Sequence, residues 1–351
     1  MLTSIGLAAI YSVDLSRGGS DSLIYVPKQM TAIVFGFFLL FLAGSVHVSF
    51  YQATVRMWYF FAVFLLLAVL FLGHTINSTT GWFRFGPVSF QPAEFAKVAL
   101  IVSLGAIIAS VGRRFDRIQY LIVTALVTAL PVMFIAIQPD FGSALVLLGI
   151  WFGLLTVTVI KKRYLVFLVG LAAIFGLLGW FFFFKPYQKE RILTFIDPSR
   201  DPLNTGYNVS QSIIAIGAGN VFGRGLGFGS QSQLRFLPEA QTDFIFSVIG
   251  EEMGFVGTLL LLSLYLLLLW RLLVIAYTSG DDFSAYTLIG MAWFFFIQLC
   301  FNIGSAIGLM PVTGVTLPFV SYGGSSLVIN CLLIGIAESV FRSNLRERQS
   351  A

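Results

Sequence analysis

The sequence predicts an all-α polytopic membrane protein, a bundle of about ten transmembrane helices with one long extracytoplasmic loop over residues 185–243. Hydrophobic residues make up 58% of the chain and charged residues only 11%, and the mean hydropathy is +0.91. Soluble domains carry about 25% charged residues. The apolar runs are long and continuous rather than alternating over about ten residues, which favours helices over a membrane barrel. We expect a single membrane domain over 1–351.

Ten apolar runs define the predicted spans. A helix needs about 20 residues to cross the hydrocarbon core. The first run ends before Asp14, so we expect an incomplete first helix in preference to a misassigned start. Cys300 and Cys331 lie inside apolar runs and predict no disulfide framework. The spans are 1–13, 28–46, 58–73, 92–111, 118–137, 141–160, 164–184, 244–275, 283–308 and 326–341.

The basic residues of the short loops predict the orientation. One set of short loops, together with the C-terminal tail, carries a cluster of lysines and arginines, while the opposite short loops carry only Arg17, Lys28 and Arg84. Basic loops stay in the cytoplasm, so both termini are predicted to be cytoplasmic and the segment 185–243 to lie outside. The basic side contains Arg56, Arg113, Arg114, Arg117, Lys161, Lys162, Arg163, Arg342, Arg346 and Arg348.

Four polar helix starts are predicted to face the outer side. Spans 4, 6, 8 and 10 all begin there, and their first residues are the most polar helix starts of the chain. Each start offers free N–H groups and a positive dipole end, so together they predict an anion-binding surface. They are 91–97 (QPAEFAK), 138–142 (QPDFG), 241–244 (QTDF) and 318–326 (PFVSYGGSS).

Asp243 precedes the eighth span and has two interpretations. Aspartate is among the best helix caps, so capping alone explains it. A carboxylate at this boundary is also a candidate general base. The helix dipole lowers its pKa and a low-dielectric boundary raises it, and the sequence leaves the balance open.

Other acidic residues lie near helix starts. Glu94 and Lys97 are three residues apart on one helix face, which indicates either an ion pair or a phosphate-binding lysine with its partner. Asp140 is either a cap or a functional carboxylate. Glu251 and Glu252 lie about 12 Å into the membrane beyond Asp243. We expect that they cannot both face one direction and that at least one lines the interior.

The loop 185–243 carries charges of both signs, including Arg191 and Arg224. Residues 213–216 predict a short apolar helix. The glycines from Gly217 to Gly229 lack the surroundings of a nucleotide loop and instead allow tight turns near a ligand.

The two histidines, His47 and His74, are far apart in the sequence, so no histidine metal site is predicted. No cofactor is predicted either. A divalent metal remains an option without a dedicated ligand cluster.

Five motifs in chain order resemble the SEDS family (shape, elongation, division and sporulation), the RodA/FtsW-type membrane glycosyltransferases. The segment 231–239 leans toward the RodA elongation branch, whereas 239–240 and 86–90 lean toward the FtsW division branch. Many members have histidine where this chain has Gln241. The motifs are 90–97 (FQPAEFAK), 138–144 (QPDFGSA), 206–212 (GYNVSQS), 236–244 (FLPEAQTDF) and 311–326 (PVTGVTLPFVSYGGSS).

The resemblance implies a peptidoglycan glycosyltransferase in the bacterial cytoplasmic (inner) membrane. Its substrate would be lipid II, polymerised at the outer face for cell elongation or division. Its partner would be a class B penicillin-binding protein with transpeptidase activity, within membrane lipid and without nucleic acid. The essential acid of the family corresponds to Asp243, and its membrane ion pair to Glu94 and Lys97.

The resemblance also suggests the roles of the site residues. Asp243 would be the general base on the acceptor hydroxyl, and Glu94 would orient Lys97. Lys97 with Arg191 and Arg224 would stabilise the leaving pyrophosphate. The substrate-binding candidates also include Asp140, Ser321, Gly323, Gly324 and Ser325, of which the last three would bring backbone N–H groups to the substrate.

Two alternatives to lipid II polymerisation stay open. One is a lipid II flippase, which would need polar groups along a path to the cytoplasmic face. The other is an outer-face polymerase or ligase that uses different polyprenyl-linked sugars. The motifs crowd the outer third of the predicted bundle, which favours an enzyme.

Overall fold

The structure is a computed structural model that describes residues 1–16, 23–76, 79–86, 88–112, 118–158, 162–183, 186–197, 200 and 205–350. A π-helical turn, Gly179–Phe183, follows the seventh helix. In chain order the other elements are α1 (Leu2–Leu15), α2 (Tyr25–Ser45), α3 (Val48–Leu72), β1 (His74–Ile76), β2 (Thr79–Phe85), β3 (Val88–Phe90), α4 (Pro92–Val111), α5 (Ile118–Ile137), α6 (Phe141–Val157), α7 (Lys162–Leu178), α8 (Pro186–Ile196), α9 (Thr205–Ala218), α10 (Ser230–Gln233), α11 (Ile245–Tyr277), α12 (Asp282–Ala306) and α13 (Gly324–Ser350).

The predicted fold class is confirmed, because an apolar helix lies at each of the ten predicted spans. Eight helices are long and apolar enough to cross a membrane, and α1 and α6 are shorter apolar helices of 14 and 17 residues. Helices α4 and α5 begin and end at the predicted residues. Helix α13 continues to Ser350, past the predicted end at 341, because its tail contains strong helix formers and no glycine or proline.

A small antiparallel sheet between α3 and α4 was not predicted. Strand β1 pairs with β2, and β2 pairs with β3 through Arg84 opposite Ser89. Strands of three residues are too short to show an alternating pattern. The sheet matters for the site because β3 ends at Phe90 and leads through Gln91 into Pro92, the first residue of α4.

The segment 185–243 contains three helices among its described residues. The apolar residues 213–216 lie inside α9, so the predicted short helix is present and longer than expected. Helices α8 and α10 were not predicted, because α10 has only four polar residues and the first half of α8 is polar and charged.

Helix α11 contains a break that the sequence conceals. Gly254 has φ 66° and ψ −162°, which interrupts the helix. The exposed backbone of α11 then pairs with the preceding loop: Phe255 N donates to Asn220 O at 2.9 Å, and Arg224 N donates to Glu251 O at 3.0 Å. The glycine-rich loop is therefore fixed onto α11 by backbone hydrogen bonds.

The chain divides into two compact units. The carboxylate unit comprises Met1–Val26, Ile160–Ser263 and Leu299–Tyr322, and the ion-pair unit comprises Pro27–Val159, Leu264–Gln298 and Gly323–Ala351. In the carboxylate unit, a Cβ added at Gly219 would lie 1.8 Å from the carbonyl oxygen of Gly250. In the ion-pair unit, α4 is largely buried, and Gly105 lies directly against Thr287. Both contacts need glycine for close packing.

Candidate active site

Asp243 lies in a turn that leads into α11. The turn is closed by hydrogen bonds from the amides of Thr242 and Phe244 to the carbonyl of Glu239, at 3.1 and 3.4 Å. Glu239 has φ 50°, a left-handed conformation that brings the chain sharply round. The Asp243 side chain is half-buried, whereas Glu239 is exposed.

Buried side chains hold this turn in place within the carboxylate unit. Asn302 Nδ2 donates to the carbonyl of Asp243 at 3.1 Å and to that of Val315 at 2.9 Å. Ser321 Oγ donates to Thr242 O at 2.7 Å and accepts from Leu317 N at 2.9 Å. The end of α12 and the segment that follows it are therefore tied to the carbonyls of Asp243 and Thr242.

The carboxylate of Asp243 borders Gly314. A Cβ added at Gly314 would lie 3.9 Å from Asp243 Oδ2, and Gly314 has φ 73°, which favours glycine. Arg191 of α8 donates from Nη1 to the carbonyl of Val312 at 3.3 Å, two residues before that glycine. The segment 311–317 thus lies beside the carboxylate with an arginine held over it.

The surroundings of Asp243 make it a stronger base than an ordinary aspartate. Its pKa is raised from 3.8 to about 6: burial raises it most, the charge of Glu239 also raises it, and Arg191 partly offsets them. A carboxylate with a pKa of about 6 is ionised at pH 7 and accepts a proton more readily than one near 4. Of the two opposing effects considered from the sequence, burial is the larger.

Asp243 and Asp140 differ in what their carboxylates bind. Asp140 is the N-cap of α6, and its Oδ1 accepts from Ser143 N at 3.0 Å, as the capping interpretation predicts. The carboxylate of Asp243 accepts no hydrogen bond from the described residues. Capping therefore does not explain Asp243, and its oxygens remain free to accept a proton.

Glu94 and Lys97 form the predicted ion pair in the first two turns of α4. Lys97 Nζ donates to Glu94 Oε1 at 2.7 Å, and the residues are 2% and 5% exposed. Glu94 Oε2 is buried and has no partner among the described residues. An ammonium has three donors, of which this pair uses one.

A hydrogen-bond network joins three polar helix starts in the ion-pair unit. Gln91 Nε2 donates to Asp140 Oδ2 at 2.8 Å, and Gln91 N donates to Ser325 Oγ at 3.3 Å. Ser325 Oγ in turn donates to Ser89 O at 2.8 Å. The starts of α4, α6 and α13, which were predicted to share a face, are therefore brought together.

The glycines before α13 have defined neighbours. Gly323 N donates to Gln29 Oε1 at 3.2 Å, so this amide is already paired. A Cβ at Gly324 would lie 3.7 Å from that of Ala32, in ordinary contact. The amides of Gly324 and Ser325 are in the first turn of α13 and donate to no described carbonyl.

Arg224 is an exposed residue of the glycine-rich loop. Its Nε donates to Ala218 O at 3.2 Å and its Nη1 to Ser230 Oγ at 2.9 Å. These bonds close the loop on itself and orient the guanidinium.

The expectation that Glu251 and Glu252 face different directions is wrong. Glu251 Oε2 accepts from Ser232 N at 3.1 Å, and Glu252 Oε1 accepts from Ser232 Oγ at 3.2 Å and also from Ser12 Oγ. Both carboxylates are buried. They reach the same residue because α10 and the end of α1 lie against this side of α11.

The predicted site residues fall into two sets. Asp243, Arg191, Arg224 and Ser321 belong to the carboxylate unit, and Glu94, Lys97, Asp140, Gly323, Gly324 and Ser325 belong to the ion-pair unit. Sequence reasoning missed Asn302 and the position of Gly314. A lone asparagine near the end of an apolar span was the available signal for Asn302. Among the described residues, no three His, Cys, Asp or Glu side chains form a metal-binding group.

Comparisons with known proteins place these features in a family. The chain is 36% identical to the probable peptidoglycan glycosyltransferase FtsW of Tolumonas auensis, over 95% of this chain and 88% of that protein. It is 34% identical to the peptidoglycan glycosyltransferase MrdB of Escherichia coli K12, over 97% of this chain and 92% of that protein. The relatives named FtsW and MrdB are thus almost equally similar to this chain.

A solved structure agrees with the sequence relatives. It comes from work on the structural coordination of polymerization and crosslinking by a peptidoglycan synthase complex. Its matched chain is 34% identical, with a TM-score of 0.81 over 98% of this chain and 97% of that one. The family model for FtsW, RodA and SpoVE, described as cell cycle protein, matches residues 1–345. The chain therefore belongs to the FtsW/RodA/SpoVE family of multi-pass membrane proteins.

Proposed function

We propose that Asp243 is the general base of a peptidoglycan glycosyltransferase that polymerises lipid II. Membership of the family makes the chain a peptidoglycan glycosyltransferase. The observation that supports the assignment of the base is a half-buried carboxylate with a pKa raised to about 6 and no hydrogen bond from the described residues.

The proposed reaction is a substitution at the anomeric carbon of the lipid-linked donor. The acceptor hydroxyl oxygen forms the new glycosidic bond while its proton moves to Asp243. The bond between the anomeric carbon and the pyrophosphate breaks, and the polyprenyl pyrophosphate leaves with the electron pair. A positioned base contributes typically about 10²–10⁴-fold to such a step.

The leaving pyrophosphate needs positive charge and hydrogen-bond donors. In the carboxylate unit, Arg191 lies over the segment beside Asp243 and Arg224 lies in the glycine-rich loop. In the ion-pair unit, Lys97 has donors beyond the one that Glu94 accepts. Arg191 and Arg224 are our candidates for binding the pyrophosphate in the carboxylate unit, and Lys97, held in place by Glu94, is the candidate of the ion-pair unit.

Backbone and neutral groups complete the proposed substrate-binding set. The amides of Gly324 and Ser325, at the start of α13, are the donors that remain after Gly323 has paired with Gln29. A helix start is a favourable place for a phosphate. Asp140 and Ser321 then act by holding the surrounding segments, through Gln91 and Thr242 respectively.

The proposed setting is the outer face of the bacterial cytoplasmic membrane, with both termini in the cytoplasm. A class B penicillin-binding protein is the proposed partner, because the matched structure is described as a complex that coordinates polymerization with crosslinking. The proposal leaves the choice between cell elongation and division to the partner that the chain binds.

The test is glycan polymerisation by purified Asp243→Asn protein with labelled lipid II in detergent. Asparagine keeps the shape of the side chain but cannot accept the proton, so we expect polymer formation to fall by at least about 10²-fold. Detergent removes sidedness, so polymer formation here also separates the enzyme from a flippase.

Asp281→Asn is the matched control. Asp281 caps α12 by accepting from Ser284 N at 2.9 Å, and asparagine caps a helix about as well as aspartate. We expect this variant to polymerise lipid II like the parent. Parent-like polymerisation by Asp243→Asn would remove Asp243 from the reaction.

A further inference from the structure

Asn302 links the residue that carries the carboxylate to the segment that borders it. It lies in α12, is 1% exposed, and donates from one nitrogen to the carbonyls of Asp243 and Val315. Val315 follows Gly314, where an added Cβ would lie 3.9 Å from Asp243 Oδ2. A single side-chain amide therefore fixes the spacing of these two backbone segments.

This linkage requires a primary amide of this length. The NH₂ group has two donor hydrogens, and the two carbonyls use both. Leucine has a similar size and no donor. Ionised aspartate has the same shape but presents only acceptors, which would repel both carbonyls.

The amide is kept despite an unfavourable feature. Oδ1 of Asn302 is buried and has no hydrogen-bond partner among the described residues. A buried acceptor without a partner lowers stability, and an apolar side chain at the same place would instead leave the carbonyls of Asp243 and Val315 without this donor. Asn302 therefore acts in this fold through the two hydrogen bonds that it donates.

We propose that Asn302 is a positioning residue for the general base: it holds Asp243 against Gly314 in a partly desolvated setting. The inference rests on the proposed role of Asp243. Among the described residues, the hydrogen bonds of the Asn302 side chain go to these two backbone carbonyls, so we expect it to act through Asp243 and not on the substrate.

The charged groups that act on Asp243 come from two elements. Glu239 belongs to the same turn, and Arg191 comes from α8. The segment 311–317 contains no charged side chain, and α12 contributes the neutral Asn302. Loosening the turn would mainly change the hydration of the carboxylate, because burial is the largest influence on its pKa.

The first test is the pH dependence of kcat/KM for Asn302→Leu with labelled lipid II. We expect a loss of about 10–100-fold at pH 8, because a base displaced by about 1 Å is that much less effective. We also expect the acid limb of the profile to move to lower pH, since a better hydrated carboxylate is a weaker base. A purely structural role would lower the amount of folded enzyme and leave the acid limb where the parent has it.

Gln298→Leu is the matched control. Gln298 lies one turn earlier in α12, is fully buried, and has no partner for either side-chain atom among the described residues. The Gln298→Leu variant loses a buried amide that links no described segments. We therefore expect the acid limb of its pH profile to lie where the parent has it. The same shift in Gln298→Leu, or a parent-like profile in Asn302→Leu, would overturn the proposal.

A second measurement does not depend on activity. An ionised Asp243 that is partly desolvated lowers stability at pH 8, so Asp243→Asn should raise the melting temperature there. In the Asn302→Leu background this gain should shrink, because the carboxylate is already hydrated. An undiminished gain contradicts the proposal.

If Asn302→Leu does not fold, Asn302→Ser, which keeps one donor, replaces it. Its values should fall between those of the parent and of Asn302→Leu in both measurements. Parent-like behaviour of the Ser variant would count against the inference.

These results separate the inference from the proposed function. An inactive Asp243→Asn protein together with a parent-like Asn302→Leu protein would reject only the role of Asn302. An active Asp243→Asn protein would reject both.

Discussion

At the scale of single residues, similar side chains are distinguished by what they bind. Asp140 and Asp243 both precede apolar helices, yet Asp140 is engaged by Ser143 and Gln91, while the carboxylate of Asp243 is left without such bonds. From the sequence both had a capping and a functional interpretation, and only the resemblance favoured Asp243 as the base. Asp140 directly precedes α6, whereas Phe244 lies between Asp243 and α11. Burial raises the pKa of Asp243, whose carboxylate accepts no hydrogen bond from the described residues.

Asp243 should make stability depend on pH in a defined direction. Its pKa is raised from 3.8 to about 6, so the folded state binds the proton more tightly than the unfolded state. The resulting stabilisation is complete below about pH 3.8 and is lost as the pH rises through 6. Asp243→Asn should therefore melt higher than the parent at pH 8, by at most about 3 kcal/mol in stability, and the difference should vanish near pH 4. Melting in detergent across this range checks it, and a variant that is less stable at pH 8 would contradict it.

The buried ion pair should behave as a unit. Lys97→Met leaves the Glu94 carboxylate buried without its counter-charge, which costs about 3–5 kcal/mol. Adding Glu94→Gln removes that charge, so the double variant should recover most of the lost melting temperature. We expect it to remain inactive in polymerisation, because the cation is still missing. Recovery of activity with stability would show that the pair serves folding alone.

At the scale of elements, the sequence is most informative where composition is uniform. The bounds of α4 and α5 follow from long apolar runs. The sheet and the helices α8 and α10 were missed, because they are short or polar and are held by contacts distant in sequence. The sequence predicted that the residues of the network from Asp140 through Gln91 to Ser325 share a face. It could not predict which of them form hydrogen bonds, because that depends on how three separate helices pack.

The break at Gly254 is an element-scale feature that substitution can test. A Cβ at this position would lie 2.2 Å from Gly223 N, and the residue has φ 66°. Gly254→Ala should therefore lose at least about 2 kcal/mol in stability.

Gly176→Ala in α7 is the comparison for Gly254→Ala, because nothing lies within 4 Å of its added Cβ. In a regular helix this change should be neutral or gain up to about 1 kcal/mol. Equal melting temperatures for the two variants would show that the break is not required.

At the scale of the whole molecule, the residues proposed for the reaction belong to two units. The base and its positioning residue lie in the carboxylate unit, and the buried lysine lies in the ion-pair unit. The sequence predicted the membership of the site but not this division, since each unit is assembled from three separate stretches of chain. The proposed reaction takes place at the outer face, so the orientation of the chain decides whether Asp243 can reach its substrate.

Cysteine labelling in intact cells tests that orientation. With Cys300 and Cys331 replaced by serine, Glu190→Cys in α8 and Arg346→Cys in α13 each present one thiol at an exposed position. Because the basic loops and tail predict cytoplasmic termini, a membrane-impermeant maleimide should label Glu190→Cys and spare Arg346→Cys. Permeabilising the cells should then allow Arg346→Cys to react, which shows that its thiol is accessible.

Labelling of Arg346→Cys in intact cells, with Glu190→Cys protected until permeabilisation, would place Asp243 on the cytoplasmic side. The carboxylate could then not act on a substrate at the outer face, and the proposed polymerisation there would fail whatever the substitutions at Asp243 show.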